Sequence, residues 1–297
     1  MSLSNSLEFT GERFTPECVR EIWYEHFHRY VFARALVKGR RVLDAACGEG
    51  YGANLLAAEA GSVTGVDISE QAIEHAKARY PAENLEFRVA DCLQLPFDDG
   101  TFDCIVSFET LEHLEDHRGL LSEFRRVLAP EGFLLLSTPD KAVYTDQQQN
   151  QNEFHVRELY RAEFESLLAS FFPAWRLWGQ KLLFQSAIWS LEAGSGVAFL
   201  QEHEGELSET SSPRHDAVYF LALCAADPDS FPEIEKDLSL FDDAAESVYE
   251  HYYHEIRKNM AAGELLAEKE RELAAMKAQV ARPQPGSSWW RRLLGRN

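Results

Sequence analysis

Positive charge is what this sequence has least of. Lysine and arginine number 29 against 49 aspartates and glutamates, a formal net charge of −20 over 297 residues. A chain this acidic repels phosphate backbones, which argues against broad non-specific nucleic-acid binding and leaves room only for a local basic patch. Long hydrophobic runs are missing as well: no apolar stretch approaches the roughly 20 residues of a membrane-spanning helix. The beginning, "MSLSNSLEFTGERF", has neither the charged start nor the apolar core of a secretory leader. Cysteine is sparse and odd in number. Cys18, Cys47, Cys92, Cys104 and Cys224 include no C-x-x-C pair, so neither a disulfide framework nor a cysteine-only zinc site is indicated, and a reduced, cytoplasmic setting is expected. No internal repeat is present. What the chain does have is 45% hydrophobic and 12% aromatic residues, enough for a sizeable core in one large domain with an appendage.

The pattern along the chain is α/β. Residues 16–37 have helical spacing, with Trp23, Phe27, Tyr30 and Arg34 recurring and Pro16 suited to a first turn. Short apolar runs then alternate with helix-like segments. "RVLDAA", "SVTGVD", "LEFRVAD", "FDCIVSF" and "GFLLLSTP" are strands, and their continuous apolar character implies a parallel sheet covered on both faces. "AWRLWGQKLLF" and "AVYFLALCAA" are further strands and "RAEFESLLASFF" a helix. "DKAVYTDQQQNQNEFH" reads as a loop and the acidic "QEHEGELSETSSPRHD" as a mobile insertion. The boundaries expected are 1–39 for an N-terminal lid segment, 40–227 for the main domain and 228–297 for a helical extension. In the extension, "AAGELLAEKERELAAMKAQV" is a strong helix former in which Leu266, Leu273 and Val280 repeat every seven residues.

The chemistry starts in "VLDAACGEGYG". An acid, Asp44, stands near the end of a buried strand, and Gly48, Gly50 and Gly52 follow before a helix, allowing a tight turn and close approach of backbone to a ligand. Asp67 ends the next strand and can accept hydrogen bonds from a ribose diol. A dinucleotide enzyme would share this arrangement, but Ala46 stands where its first glycine belongs and no second nucleotide-binding half follows.

The ordered set "VLDAACGEGYG", "GVDIS", "RVADCLQLPF", "FDCIVSFETLEHLED" and "RVLAPEGFLLLSTP" resembles the class I S-adenosylmethionine-dependent methyltransferases of methyltransferase type 11, over about residues 40–140. The resemblance implies a Rossmann-like sheet of seven strands, the last antiparallel, for which "AVYFLALCAA" is the candidate. It implies S-adenosylmethionine as cofactor. Asp44 and Gly48 would border its methionine part, and Ala46, Cys47 and Gly50 complete that turn. Asp67 would take the ribose, with Ile68 beside it. Asp91 would reach the adenine amino group near the Cys92 amide, and Phe108 would lie by the sulfonium. The N-terminal helix would cover the cofactor, with Tyr24 and His28 as lid residues and Trp23 and Phe27 packed in the core.

In "SFETLEHLED", Glu109, Glu112 and His113 stand at i, i+3 and i+4, one face of a helix if a helix begins there. E-x-x-E-H with the later His155 resembles a metal-dependent branch of the family, which includes small-RNA terminal 2′-O-methyltransferases and, for E-x-x-E-H alone, ubiquinone-pathway O-methyltransferases. Carried over, Glu109, Glu112, His113 and His155 become ligands of magnesium, manganese or zinc. Three readings stay open here: a metal site, a catalytic His113 with Glu109 beside the methyl group, and acidic residues that merely favour a helix start. His117 reads as a surface residue. "TGERFTPE", "EIWYEHFHRYVFA" and "FHVREL" resemble bacterial methyltransferases associated with surface-polysaccharide assembly, which implies a sugar or glycan hydroxyl as acceptor. Quinone or natural-product acceptors share every cofactor motif, and an RNA 2′-hydroxyl is the reading that the net charge opposes. The end, "SSWWRRLLGRN", could touch an anionic membrane face or a protein partner through Trp289, Trp290, Leu293 and Leu294 with Arg291, Arg292 and Arg296, and the enzyme could be a homo-oligomer.

Overall fold

The computed structural model describes residues 21–149, 152–183, 186–191, 199–203, 206–210, 215–234 and 238–280. Pro16, Cys18 and the basic aromatic tail lie outside them. Two compact units form, Met1–Asp243 and Ala244–Asn297.

The first unit is an α/β sandwich around one mixed sheet. The helix α1 (Glu21–Arg34) precedes β1 (Arg41–Ala45), α2 (Tyr51–Ala57), β2 (Ser62–Asp67), α3 (Glu70–Arg79), β3 (Leu85–Val89) and β4 (Phe102–Phe108). Then come α4 (His117–Val127), β5 (Leu128–Pro139), α5 (Arg161–Ala169), β6 (Ala174–Leu182), β7 (Ser186–Ser190), β8 (Phe199–His203), β9 (Glu206–Thr210), β10 (Tyr219–Ala225) and β11 (Leu238–Phe241). The main sheet runs β11-β7-β6-β10-β5-β4-β1-β2-β3. The neighbours β1–β2, β2–β3, β1–β4 and β4–β5 are parallel, and β10 is antiparallel to both β5 and β6. "AVYFLALCAA" therefore supplies the antiparallel strand expected of it. Its residues Tyr219–Ala225 are buried throughout, as are the central residues of β1, β2, β4 and β5, because helices cover both faces.

The sheet has nine strands rather than seven. The two extra ones, β7 and β11, extend the β6 edge by antiparallel pairing. Five and four residues long, they carry too little periodicity to be seen in sequence. They also capture His28. Its Nδ1 meets Ser186 Oγ and its Nε2 meets Ser239 Oγ, each at 2.9 Å, while Phe241 stacks on the ring. Burial, with Arg29 nearby, pushes His28 down to about 3, so it is a neutral structural bridge and not a lid residue. Tyr24 is likewise packed beneath Phe241. Part of the acidic insertion forms a separate hairpin, β8–β9, pairing Phe199 with Thr210 and His203 with Glu206.

The order of strands reverses between β1 and β4, and there the crevice opens at the carboxyl ends of the strands. The turn leaving β1 has Ala46 at φ 60, Gly48 at φ 56 and Gly50 at φ 92. A side chain at Ala46 is strained by that backbone. Ala46→Gly should raise stability by about 1 kcal/mol in urea unfolding if the turn keeps its shape.

In the second unit, α6 (Ser247–Val280) runs 34 residues, with Leu266, Leu273 and Met276 exposed. Among the described residues no helix is long and apolar enough to cross a membrane.

Candidate active site

A cavity of about 360 Å³ lies over the switch point, lined by the β1 turn, the ends of β2 and β4, and α1. The turn is laced to β2: Cys47 N–H donates to Val66 O at 2.8 Å, and Gly48 N–H donates to Asp67 Oδ2 at 2.9 Å. Ser69 N–H donates to the other oxygen, Oδ1, at 2.8 Å, so Asp67 braces the turn as well as facing the cavity. A Cβ on Gly50 would come within 2.8 Å of Ala76 and Phe87. On Gly52 it would stand 2.1 Å from the ring of Tyr30. That glycine lets Tyr30 lie on the turn, edge to face with Phe108 and Tyr51, and donate its hydroxyl to Asp44 Oδ1 at 3.0 Å.

Asp44 is fully buried, and its Oδ2 has no hydrogen-bond partner. Burial pushes its carboxyl up to about 7, against the Tyr30 hydrogen bond and with a contribution from Asp67. Ala46, Ile68, Asp91 and Cys92 line the cavity together with Phe108. Asp91 accepts Leu93 N–H at 2.8 Å, and burial pushes the Cys92 thiol up to about 12. Ile68 is 74% exposed, an apolar surface left open beside the ribose-type acid. All the residues expected around the cofactor except Asp44 and Gly50 line this cavity. Asp44 stands behind Tyr30, and Gly50 shapes the turn. The glycine turn and the two cavity-lining acids, Asp67 and Asp91, fit a cationic nucleoside such as S-adenosylmethionine.

At the other end, no helix starts at Ser107. Glu109 leaves β4 at φ 52, and only a 3-10 turn, Leu111–His113, follows. The single helical face expected for Glu109, Glu112 and His113 does not form, because a left-handed residue cannot propagate an α-helix. Glu109 accepts Ser137 Oγ–H at 2.6 Å and lies 3.9 Å from Arg29 Nη2. Glu112 instead turns inward and is wholly buried. Thr138 Oγ1 donates to its Oε2 at 3.1 Å, while Oε1 has no hydrogen-bond partner. Burial, with Glu109 adding, pushes its carboxyl well above the usual range.

The backbone N–H groups of Val156 and Arg157 both donate to Glu112 O, which draws the segment carrying His155 against it. His113 Nδ1 sits 3.0 Å from Phe154 O. A carbonyl only accepts, so Nδ1 carries a proton there, and Nε2 lies 3.9 Å from Glu112 Oε1. His155 Nδ1 is 2.5 Å from Glu158 Oε1. Tyr144, on a π-helical turn Ala142–Gln147 in the expected loop, stacks on His155.

Glu112, His113 and His155 bring one ligand atom each within 4.8 Å of one another. They fit a divalent cation: a buried carboxylate oxygen without a partner meets two imidazoles held at Nδ1 by acceptors. Of the four ligands expected, Glu109 stands outside the cluster, bound to Ser137. His117, expected at the surface, is buried, with its ring against backbone groups of Leu111, Leu114 and Arg157. Sequence reasoning missed His26, Tyr30, Tyr51, Thr110 and Leu114 as cavity residues. The aromatic helix α1 is apolar on several sides, so spacing does not tell which residue turns to the crevice.

Residues 43–136 match the family model of a methyltransferase domain, methyltransferase type 11. A protein of Mycolicibacterium smegmatis described as a probable S-adenosylmethionine-dependent methyltransferase is 39% identical over 170 residues, covering 56% of this chain and 65% of that protein. One of Mycobacterium tuberculosis with the same description is 39% identical over 165 residues, 54% of this chain and 60% of that protein. The chain thus spans slightly under two thirds of the length of these curated relatives. The crystal structure of an S-adenosylmethionine-dependent methyltransferase from Thermotoga maritima superposes with a TM-score of 0.50 at 18% identity, over 69% of this chain and 90% of that one, and shares the fold. Residues 43–136 thus resemble a methyltransferase type 11 domain, and the sheet has the Rossmann-like fold of class I methyltransferases.

Asp44 gives the cofactor site a pH dependence. In the free protein its carboxyl holds a proton below about pH 7, and a bound cationic ligand favours the carboxylate, so binding releases a proton. Affinity for S-adenosylmethionine should therefore fall as pH drops through 7, by about tenfold between pH 8 and pH 6 in calorimetry. A flat profile would remove Asp44 from the binding charge.

Proposed function

We propose that this domain transfers the methyl group of S-adenosylmethionine to a hydroxyl of a sugar or glycan, with a divalent cation held by Glu112, His113 and His155. The observation that carries the reading is the convergence of these three donors beside the end of β4, with Glu112 Oε1 left without a hydrogen bond. Methyl transfer from a sulfonium is an in-line displacement. The sulfur–carbon bond breaks as the oxygen–carbon bond forms, and the hydroxyl proton must leave. A hydroxyl is a poor nucleophile until a base takes that proton or a cation lowers its pKa. When bound, the cation supplies that acidity.

The protein's own groups do the rest. Asp67, Asp91 and the turn at Gly48 hold the cofactor. Phe108 and Tyr30 wall off water where the methyl group moves, and His113 and His155 are held at Nδ1 by Phe154 O and Glu158. Three protein ligands leave coordination positions open for the two oxygens of a vicinal diol, which suits a sugar. Two imidazoles with one carboxylate favour manganese or zinc over magnesium. The net charge of −20 disfavours an RNA acceptor.

The test is manganese binding by calorimetry and electron paramagnetic resonance. One equivalent should bind to the wild type, and His155→Ala should weaken it at least tenfold. Unchanged binding in that variant removes the cation site, whereas a wild type that fails to bind S-adenosylmethionine removes the methyl-transfer reading itself.

A further inference from the structure

Arg29 has no solvent exposure and is among the largest fully buried side chains of the protein. Its Nη1 donates to Gln180 Oε1 at 2.9 Å, and its guanidinium lies over the ring of Tyr219 at 4.9 Å. Gln180 is itself pinned, its Nε2 donating to Glu25 O at 2.9 Å and to Ser186 Oγ at 3.0 Å. Arg29 Nε and Nη2 have no hydrogen-bond partner. Two charged donors buried without acceptors oppose folding, so packing does not explain the residue.

The two orphans are not an arbitrary pair. Nε and Nη2 form the side-on edge of the guanidinium, the edge that matches the two oxygens of a carboxylate. Glu109 is near one of the two, with Oε1 at 3.9 Å from Nη2, an ion-pair distance longer than a hydrogen bond. The same oxygen accepts Ser137 Oγ–H at 2.6 Å, and the Glu109 N–H points to Ser137 O and Oγ at 3.3 and 3.2 Å, so Ser137 and Arg29 share Oε1. Glu109 lines the cavity next to Phe108, and Arg29 belongs to α1, the helix that puts His26 and Tyr30 on the same cavity wall.

We propose that Arg29 is a positioning residue that aims the Glu109 carboxylate at the positively charged sulfur of the bound cofactor and ties α1 to the end of β4. The inference rests on the methyl-transfer reading and is independent of the cation. It predicts a loss specific to ligand charge. S-adenosylmethionine carries a sulfonium, and S-adenosylhomocysteine, its demethylated product, a neutral sulfur.

Binding of both ligands to the wild type, Arg29→Met, Glu109→Gln and the double variant is measured by calorimetry, with melting of the ligand-free proteins alongside. Each single variant should lose at least fivefold in preference for S-adenosylmethionine over S-adenosylhomocysteine, and the double variant should lose no more than either. Equal weakening of the two ligands, or losses that multiply in the double variant, would overturn the proposal while leaving the methyltransferase reading intact. Should Arg29→Met not fold, Arg29→Lys keeps the charge without the two-donor edge. It should show the same loss of preference, and unchanged preference there overturns the proposal. A wild type that binds neither ligand marks failure of the methyltransferase reading instead.

Discussion

Gly52→Ala is expected to weaken S-adenosylmethionine binding at least tenfold and to lower stability by about 1–3 kcal/mol. The added methyl would stand 2.1 Å from the Tyr30 ring, a distance no packing tolerates. The ring cannot retreat cheaply, since it is wedged between Tyr51 and Phe108 at centroid distances of 5.1 and 5.0 Å. Moving it breaks the hydroxyl bond to Asp44 and leaves a second oxygen of that buried carboxyl without a partner. It also removes one wall of the cavity. The cofactor loss should thus accompany the stability loss, read as a lower denaturant midpoint together with a higher Kd. A variant with wild-type affinity would show that Tyr30 takes no part in the site.

Glu112→Gln should reduce methyl transfer more than a hundredfold, leave the cofactor Kd within about twofold, and barely change melting. The exchange keeps shape and leaves an amide oxygen that can still accept from Thr138 Oγ1. Burial already drives the Glu112 carboxyl toward its neutral form, so removing its charge costs the ligand-free fold little. What the amide cannot do is give up a proton and become an anionic ligand. Transfer by Glu112→Gln at the wild-type rate would leave Glu112 a structural acid bonded to Thr138.

The parts of the fold that sequence revealed are those that two-sided burial makes plain. "SVTGVD" and "FDCIVSF" coincide with β2 and β4 residue for residue, because strands sealed on both faces read as unbroken apolar runs. The glycine turn was equally legible, since positive φ at Gly48 and Gly50 leaves few residues to choose from. The E-x-x-E-H motif misled in a specific way. Its spacing suggested a helical face, but Glu109 takes a left-handed backbone at the end of β4, and that one residue sends its carboxylate to Ser137 and Arg29 instead of to Glu112. His155 entered only by resemblance, and its approach to His113 depends on backbone bonds from Val156 and Arg157 to Glu112 that no spacing encodes. On α1, the aromatic side chains alternate too densely for periodicity to separate Tyr30, which faces the cavity, from Tyr24 and His28, which lock the edge strands.

The measurement that tests the account most directly is transfer of a labelled methyl group from S-adenosylmethionine to a cell-envelope glycan extract, run with the intact protein before and after exhaustive chelation and again after manganese is restored. The expected result is label in an alkali-stable ether on the glycan, lost with the metal and recovered on its return. Label that appears only in extracted quinones or other small molecules, or glycan labelling that persists undiminished after chelation, would contradict it.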